Sequence, residues 1–435
     1  MLRISALIGL LFIASVGVCA QEAEPVTVLY CGTLLDIPGQ PPRIGATVVI
    51  AGDRIVDVAD GFVDPPEGAK VIDLRDRFVL PGLIDCHTHI THELEPGDDR
   101  LRRMVQEGSP HAAIHGVVFA ERTLLAGFTT IRNVGSSGGV AFALRDKIAE
   151  GVVPGPRILA AGEAITATGG HGDSTNGIWH EFSPVVGPEQ GVADGPDEVR
   201  KAVRSQIKQG ADLIKITATG GVLSNTAAGV DQQLFVDELE AIVTAANMMG
   251  RKVAAHAHGV NGIKAALRAG VDSIEHGTYL DDEAIALFLE TGAYLVPTIH
   301  AGKYVEQMAE VDGYFPEPIR AKAAAVGPVI QGAFGRAHAA GVKIAFGTDV
   351  GVGRHGTNAL EFVYMTEAGM SPADALVTAT INAADLCGLS DDIGTIEPGK
   401  LADIIAVRHS PLDDVTVLQD VSFVMKDGTV YKDDR

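Results

Sequence analysis

From residue 78 to residue 348 the chain alternates between short apolar runs and longer stretches in which alanine and charged residues recur at helical spacing. The apolar runs lie at 78–86, 129–134, 157–161, 213–217, 252–257, 273–276, 294–298 and 343–348. Each is the length of a strand rather than a helix, and each leads through a polar loop into the next helical stretch. Near-continuous apolarity is expected of strands covered on both faces by helices. Eight strand–helix units are the number required for an α/β protein built as a (β/α)8, or TIM, barrel. The competing architecture is a doubly wound open sheet, which needs a glycine-rich turn after its first strand. Here that strand ends instead in Asp85-Cys86-His87-Thr88-His89.

The two ends of the chain have a different texture. Alternating strand-like segments occur at 26–30, 46–50 and 54–58, with Ala51-Gly52-Asp53 as a tight turn between the last two. The C-terminal end repeats the pattern at 403–407, 421–425 and 429–431. Both ends are predicted to pair into one small β-sandwich domain, formed by 21–80 and 398–435, with the barrel inserted at 81–397.

Composition agrees with an α/β enzyme. Hydrophobic residues make up 46% of the chain, aromatics only 5%, and glycine is abundant. The formal net charge of -22 excludes a nucleic-acid partner, because no basic stripe is present to neutralise phosphates. Arg3, an apolar run over 4–18 and the small residues at Cys19-Ala20 describe a secretory signal over 1–20, cleaved after Ala20. The chain is therefore expected to be exported, to a periplasm or to the extracellular space. No later run is long enough to span a membrane. Lipidation at Cys19 is the alternative, although Val18 is bulky for the position before a lipidated cysteine. Cleavage leaves Cys31, Cys86 and Cys387, an odd number without metal-type spacing, so disulfides are not expected to hold the fold.

The polar residues that interrupt the apolar runs fall at their C-terminal ends, where a barrel carries its catalytic groups. Strand alternation puts His87 and His89 on one face, so two imidazoles can bind one ion. Lys215 lies within Leu213-Ile214-Lys215-Ile216-Thr217, and an ammonium in such a run is costly unless paired or neutralised. Carbon dioxide adding to its neutral amine would give an anionic carbamate able to bridge two divalent ions. The fifth run ends in His256-Ala257-His258, the sixth in His276 and the eighth in Asp349. Spacing does not decide which of His256 and His258 is a ligand. Taken singly, each has an ordinary explanation as a core histidine or a helix-capping aspartate. Together they describe a metal centre of His87, His89, Lys215, His256, His276 and Asp349.

Pro81-Gly82-Leu83-Ile84-Asp85-Cys86-His87-Thr88-His89 and Gly394-Thr395-Ile396-Glu397-Pro398-Gly399-Lys400-Leu401-Ala402-Asp403 resemble the opening and returning motifs of the amidohydrolase superfamily. The lysine-bearing strand resembles its two-metal branch. Thr168-Gly169-Gly170-His171-Gly172-Asp173 and His276-Gly277-Thr278-Tyr279-Leu280 are similar to the secreted Xaa-Pro and Xaa-Arg dipeptidases, a group that includes ochratoxin-type amide hydrolases. The resemblance implies two divalent ions, Zn2+ foremost, and a small-molecule or dipeptide substrate. It assigns His87, His89 and Asp349 to the more buried ion, His256 and His276 to the more exposed one, and carboxylated Lys215 to both. His258, His171 and Tyr279 become substrate contacts, with Asp349, His258 and His171 acting in catalysis. A hydroxide bridging the ions would attack the amide carbonyl, and Asp349 would pass a proton to the leaving amine. The resemblance further implies a homo-oligomer. The alternatives are a cyclic amide or imidazolone ring hydrolase, which as a one-metal enzyme would not need Lys215, and a non-catalytic metal-binding scaffold. Arg354 and His355, just past Asp349, are either carboxylate ligands or exposed loop charge.

Overall fold

The computed structural model describes residues 25–94, 106–224 and 229–435; the predicted signal at 1–20 lies outside them. The N-terminal end forms β1 (Val26–Leu34), β2 (Arg43–Ala51), β3 (Arg54–Asp60) and β4 (Lys70–Pro81). The C-terminal end adds β12 (Ile404–Val407), β13 (Phe423–Lys426) and β14 (Thr429–Asp433). All seven pair in one sheet, in the order β14-β13-β12-β4-β1-β2-β3. The ends therefore join as expected, in one hydrogen-bonded sheet in which the long β4 pairs with β1 through 70–79 and with β12 through 78–81. Its apolar face buries Leu29, Val48, Ile72, Leu74, Ile404 and Phe423 in one core. The β13–β14 hairpin turns on Asp427 and Gly428, at φ 48° and 71°. Positive φ at both central residues is the turn whose twist suits two adjoining strands.

The central region is a TIM-barrel-like α/β fold. One sheet holds β5 (Leu83–Thr88), β6 (Phe128–Asn133) and β7 (Arg157–Ala160). The other holds β8 (Ile214–Thr217), β9 (Val253–Ala257), β10 (Ser273–His276) and β11 (Tyr294–Val296). All pairs within both sheets are parallel. Isolated parallel bridges attach segments outside both sheets to their strands: Ile165 to Ile216 of β8, Ile344 to Leu295 of β11 and Val350 to Thr88 of β5. The helices that matter for the site are α1 (Ser109–Leu125), α2 (Val140–Ala149), α3 (Gly195–Gln209), α4 (Val236–Met248), α5 (Val260–Ala269), α6 (Asp282–Thr291), α7 (Ile299–Ala309), α8 (Glu317–Ala339) and α9 (Leu360–Glu367). Among the described residues no helix is long and apolar enough to cross a membrane.

Two strand predictions need correction. The apolar run at 78–86 is two strands in two sheets, because the chain passes at Gly82 from β4 into β5. A Cβ on Gly82 would lie 2.2 Å from Thr129 Oγ1, so the crossing is a close backbone approach that only glycine allows. The run at 343–348 is extended but forms no regular strand. Its backbone bonds are divided among partners: Leu295 N donates to Lys343 O at 2.8 Å, Cys86 N to Phe346 O at 2.8 Å, and Phe346 N to Thr378 O at 3.0 Å. A segment shared among three elements cannot keep one ladder's geometry.

Candidate active site

The expected ligands converge at the C-terminal ends of the barrel strands. His87 is the last residue but one of β5, Lys215 sits within β8, His256 within β9 and His276 ends β10. Asp349 follows the extended eighth segment, its backbone N donating to His87 O at 2.8 Å. Ligand atoms of His87, His276 and Asp349 lie within 4.8 Å of one another, as do those of His256, His258 and His276. His276 thus belongs to both groups. His258 stands with His256 and His276, so position alone does not set the two β9 histidines apart.

Each imidazole is oriented by a partner on its far nitrogen. His87 Nδ1 is 2.7 Å from Glu275 Oε2, and His89 Nδ1 is 3.0 Å from Gly135 O. His258 Nδ1 meets Thr278 Oγ1 and His276 Nδ1 meets Thr298 Oγ1, both at 2.7 Å. His256 is held by the other nitrogen, with Nε2 3.3 Å from Gly220 O. The carboxylate and carbonyl partners, which can only accept, place the ring proton of His87, His89 and His256 on that nitrogen and leave the other lone pair for the centre, while the threonine hydroxyls orient His258 and His276. Burial and neighbouring cations push all the buried imidazoles down, His87 to about 4 and His258 to about 3, so they stand as neutral donors.

Asp349 is 8% exposed, and its Oδ1 takes no hydrogen bond although His89 Nε2 and His87 Nε2 lie 3.3 and 3.5 Å away. Burial would raise its pKa, but His87, His89 and Lys215 outweigh that and hold it down at about 2. Lys215 is 4% exposed and has no hydrogen bond or ion pair among the described residues. Burial depresses its ammonium to about 8 despite Glu275 and Asp349 nearby. Neutral imidazole lone pairs, an ionised carboxylate with an orphaned oxygen and a partnerless lysine fit divalent cations and a carboxylated amine.

The backbone is strained where these groups sit. Of the four non-glycine residues with positive φ among the described residues, three are His276 (74°), Thr298 (52°) and Asp349 (59°). A branched residue in this region costs on the order of 1–3 kcal/mol, tolerated only when the surroundings fix it. Thr298 is fixed by its N–H donating to Gly347 O at 3.1 Å. The next two amides, at the start of α7, donate to the Glu361 carboxylate at 2.9 and 2.6 Å. Burial lifts Glu361 from 4.5 to about 8, although those two bonds oppose it. The folded state then keeps a proton that the unfolded chain loses, so stability falls as pH rises through that window. Glu361→Gln is expected to flatten the loss of Tm between pH 5 and pH 8. Parallel Tm–pH profiles for wild type and variant would reject this.

Sequence reasoning passed over Glu275, Arg132 and Asp85. The Glu275 carboxylate bonds His87 through Oε2 and, through Oε1, accepts Arg132 Nη2 at 2.7 Å and Ser273 Oγ at 2.5 Å. Arg132, also buried, reaches Cys86 O through Nε at 2.5 Å. Burial opposes ionisation of Glu275, yet Arg132 and His87 prevail and hold it well below the ordinary range. Asp85 accepts His87 N at 3.0 Å, Thr348 Oγ1 at 2.6 Å and Asn358 Nδ2 at 2.7 Å, clamping β5 to the segment that carries Asp349. Arg132→Met should leave the Glu275 charge buried without its cation and cost about 3–5 kcal/mol in urea denaturation. A loss below about 1 kcal/mol would mean the pair is not what keeps Glu275 ionised.

The remaining predicted contacts surround this centre. His171 stacks on His256 with ring centroids 4.2 Å apart, its Nδ1 2.7 Å from Ser224 Oγ. Tyr279 is more exposed, its backbone N donating to His258 O at 3.0 Å. His355 is buried, stacked 4.7 Å from Phe119 with Nε2 2.9 Å from His92 O, whereas Arg354 is exposed. Residues 135–139 have Gly-Xaa-Ser-Xaa-Gly spacing between β6 and α2, a pattern also passed over in the sequence. Ser137 nevertheless lacks the strained φ of a nucleophile and donates Oγ to Glu163 Oε2 at 3.0 Å rather than to a histidine. Cys86 and Cys387 are free thiols with sulfurs 3.9 Å apart.

Residues 78–432 match the model of the amidohydrolase family. Ochratoxinase of Aspergillus niger is 33% identical over 440 residues, covering 95% of this chain and 88% of that protein. A crystal structure of a Xaa-Pro dipeptidase with methionine in its active site is 47% identical, with a TM-score of 0.90 over 94% of this chain and 100% of that one. The imidazolonepropionase of Sphingopyxis alaskensis is more distant, 28% identical over 82% of this chain and 85% of its own.

Proposed function

Since the chain belongs to the amidohydrolase family and is a hydrolase of amide C–N bonds, we propose that it cleaves the C-terminal amide of dipeptides or N-acyl amino acids, ochratoxin-type amides included. The observation that carries this reading is the pair of ligand groups sharing His276, with the orphaned Asp349 oxygen in one of them and Lys215, without a partner among the described residues, near enough for its charge to act on His87, His256 and His276. The reading assigns His87, His89 and Asp349 to one zinc ion, His256 and His276 to a second, and carboxylated Lys215 to both. Such cations supply Lewis acidity, polarising the scissile carbonyl and acidifying water near neutral pH.

The chain's own groups do the rest. Asp349, ionised and next to the reacting water, takes its proton and hands it to the departing amine. His258 faces the substrate from just past the end of β9 and His171 from the loop beyond β7, and Tyr279 reaches over it from the loop after β10. Glu275 and Arg132 keep His87 in one tautomer, while Thr298 fixes the orientation of the His276 ring. The Lys215 position speaks against a one-metal imidazolone hydrolase, which has no use for a bridging lysine. In this reading residues 1–20 direct export, and a domain of 21–80 with 398–435 flanks a hydrolase barrel at 81–397.

Xaa-Pro and Xaa-Arg dipeptides and N-acyl-phenylalanine, assayed with added zinc and again after chelation, form the test. Metal-dependent release of the C-terminal amino acid is expected. Undiminished turnover in fully chelated enzyme, or no release from any carboxylate-terminated substrate, would defeat the reading.

A further inference from the structure

The loop after β8 carries the partner of His171, and a cation on α8 is bound to that same loop. Lys322 Nζ donates to Ser224 O at 2.7 Å and to Gly221 O at 3.2 Å. Ser224 Oγ in turn lies 2.7 Å from His171 Nδ1 and accepts Gly221 N at 3.0 Å. Gly221 packs so closely on the ring that a Cβ there would fall 2.2 Å from His171 Cε1. His171 stacks on His256. The ammonium is thus one loop residue behind a ring that borders the candidate metal centre.

Its surroundings do not neutralise it. Ile319, Ala323 and Val326, on the same stretch of α8, join Val222, Val305, Tyr314 and Phe315 in one apolar cluster. Lys322 emerges half-buried beside that cluster. Among the described residues no carboxylate lies within ion-pair distance of it, whereas the similarly buried Lys264 holds both Asp281 and Glu283. Two of its three protons go to neutral carbonyls and the third has no partner among the described residues. Burial lowers its pKa, with no acidic neighbour to oppose the shift, and its charge is felt at His258. A half-buried cation held beside a binding cleft without a counter-ion is an anion site awaiting its anion.

Resting on the reading above, we infer that Lys322 is the specificity residue that receives the terminal carboxylate of the substrate. The position offers more than exposed Arg354, whose side chain is not fixed by any described hydrogen bond or ion pair. Lys322 touches neither a reacting atom nor a proposed metal ligand. Its contribution is therefore binding energy for one end of the substrate.

The test compares the best Xaa-Pro dipeptide with its prolinamide counterpart, which lacks the charge, using zinc-loaded wild type, Lys322→Gln, Lys322→Arg and Arg354→Gln. Wild type should favour the free acid. Lys322→Gln should raise KM for the acid by about 10–100-fold, the scale of one hydrogen bond to a charged group, with kcat and the amide kinetics little changed. Lys322→Arg should restore much of the preference, and Arg354→Gln should keep it whole. Zinc content equal to wild type in Lys322→Gln excludes a collapsed site. An acid-to-amide ratio in Lys322→Gln equal to wild type overturns the inference while leaving the hydrolase reading intact, and so does a ratio that collapses only in Arg354→Gln. Wild type that cleaves acid and amide equally well overturns it too.

Discussion

Lys215→Ala is expected to lower turnover by roughly three orders of magnitude or more, the scale on which removing one member of a catalytic unit acts. It is also expected to lower the metal content of purified enzyme. The argument begins with cost. An unpaired ammonium within an apolar strand is poorly solvated, and burial already drives Lys215 toward its neutral form. A neutral amine can add carbon dioxide, forming an N–C bond and releasing a proton, and the product is an anion where the site lacks one. Alanine removes both that anion and its reach, so two clusters of neutral histidines would face each other with only Asp349 to balance cationic charge. Acetate or propionate should restore part of the activity, because a small carboxylate can enter the cavity that alanine leaves. Lys215→Arg should be inactive and not rescued, since the cavity stays filled by a permanent cation. A carbamate carbon signal in wild type supplied with 13C-bicarbonate would identify the modification independently of turnover. Near-wild-type turnover in Lys215→Ala, or a single ion with an unmodified amine in active enzyme, would remove the two-metal proposal.

How far such a centre is readable in one dimension depends on the physics of each residue. His87, His89, Lys215, His276 and Asp349 were visible because each interrupts or ends an apolar run, and a polar group there must be satisfied or functional. Arg132 and Glu275 break their strands in the same way, yet their meaning lies in a pairing across 143 residues, which no local pattern encodes. The choice between His256 and His258 stays open in three dimensions for a related reason: both rings carry one anchored nitrogen and face His276. The terminal strands were legible because alternation and turn residues are local signals. The order in which they pair was not, since alternation carries no information on which strands are neighbours. The passage through Gly82 left no mark in hydrophobicity either, because the strands on both sides of it are buried.

Asp349→Asn is the other large effect, and here the backbone chooses the variant. Asp349 sits at φ 59°, a conformation that aspartate and asparagine adopt far more readily than alanine. Alanine would combine loss of the side chain with backbone strain, whereas asparagine keeps the shape and one oxygen. What asparagine loses is charge and the ability to hold a proton. Turnover should fall by about 10²–10⁴-fold, the usual contribution of a general acid–base group. Tm in the metal-free protein should fall only modestly, because asparagine keeps the side-chain shape and gives up the favourable contacts of the charge with His87, His89 and Lys215. Because the lost step delivers a proton to the leaving amine, the deficit should shrink for substrates whose amine needs no proton to depart, such as N-acyl anilides with strongly electron-withdrawing rings. An equal deficit across good and poor leaving groups would assign Asp349 to holding metal alone. Wild-type turnover with every substrate would leave it with no part in the chemistry at all.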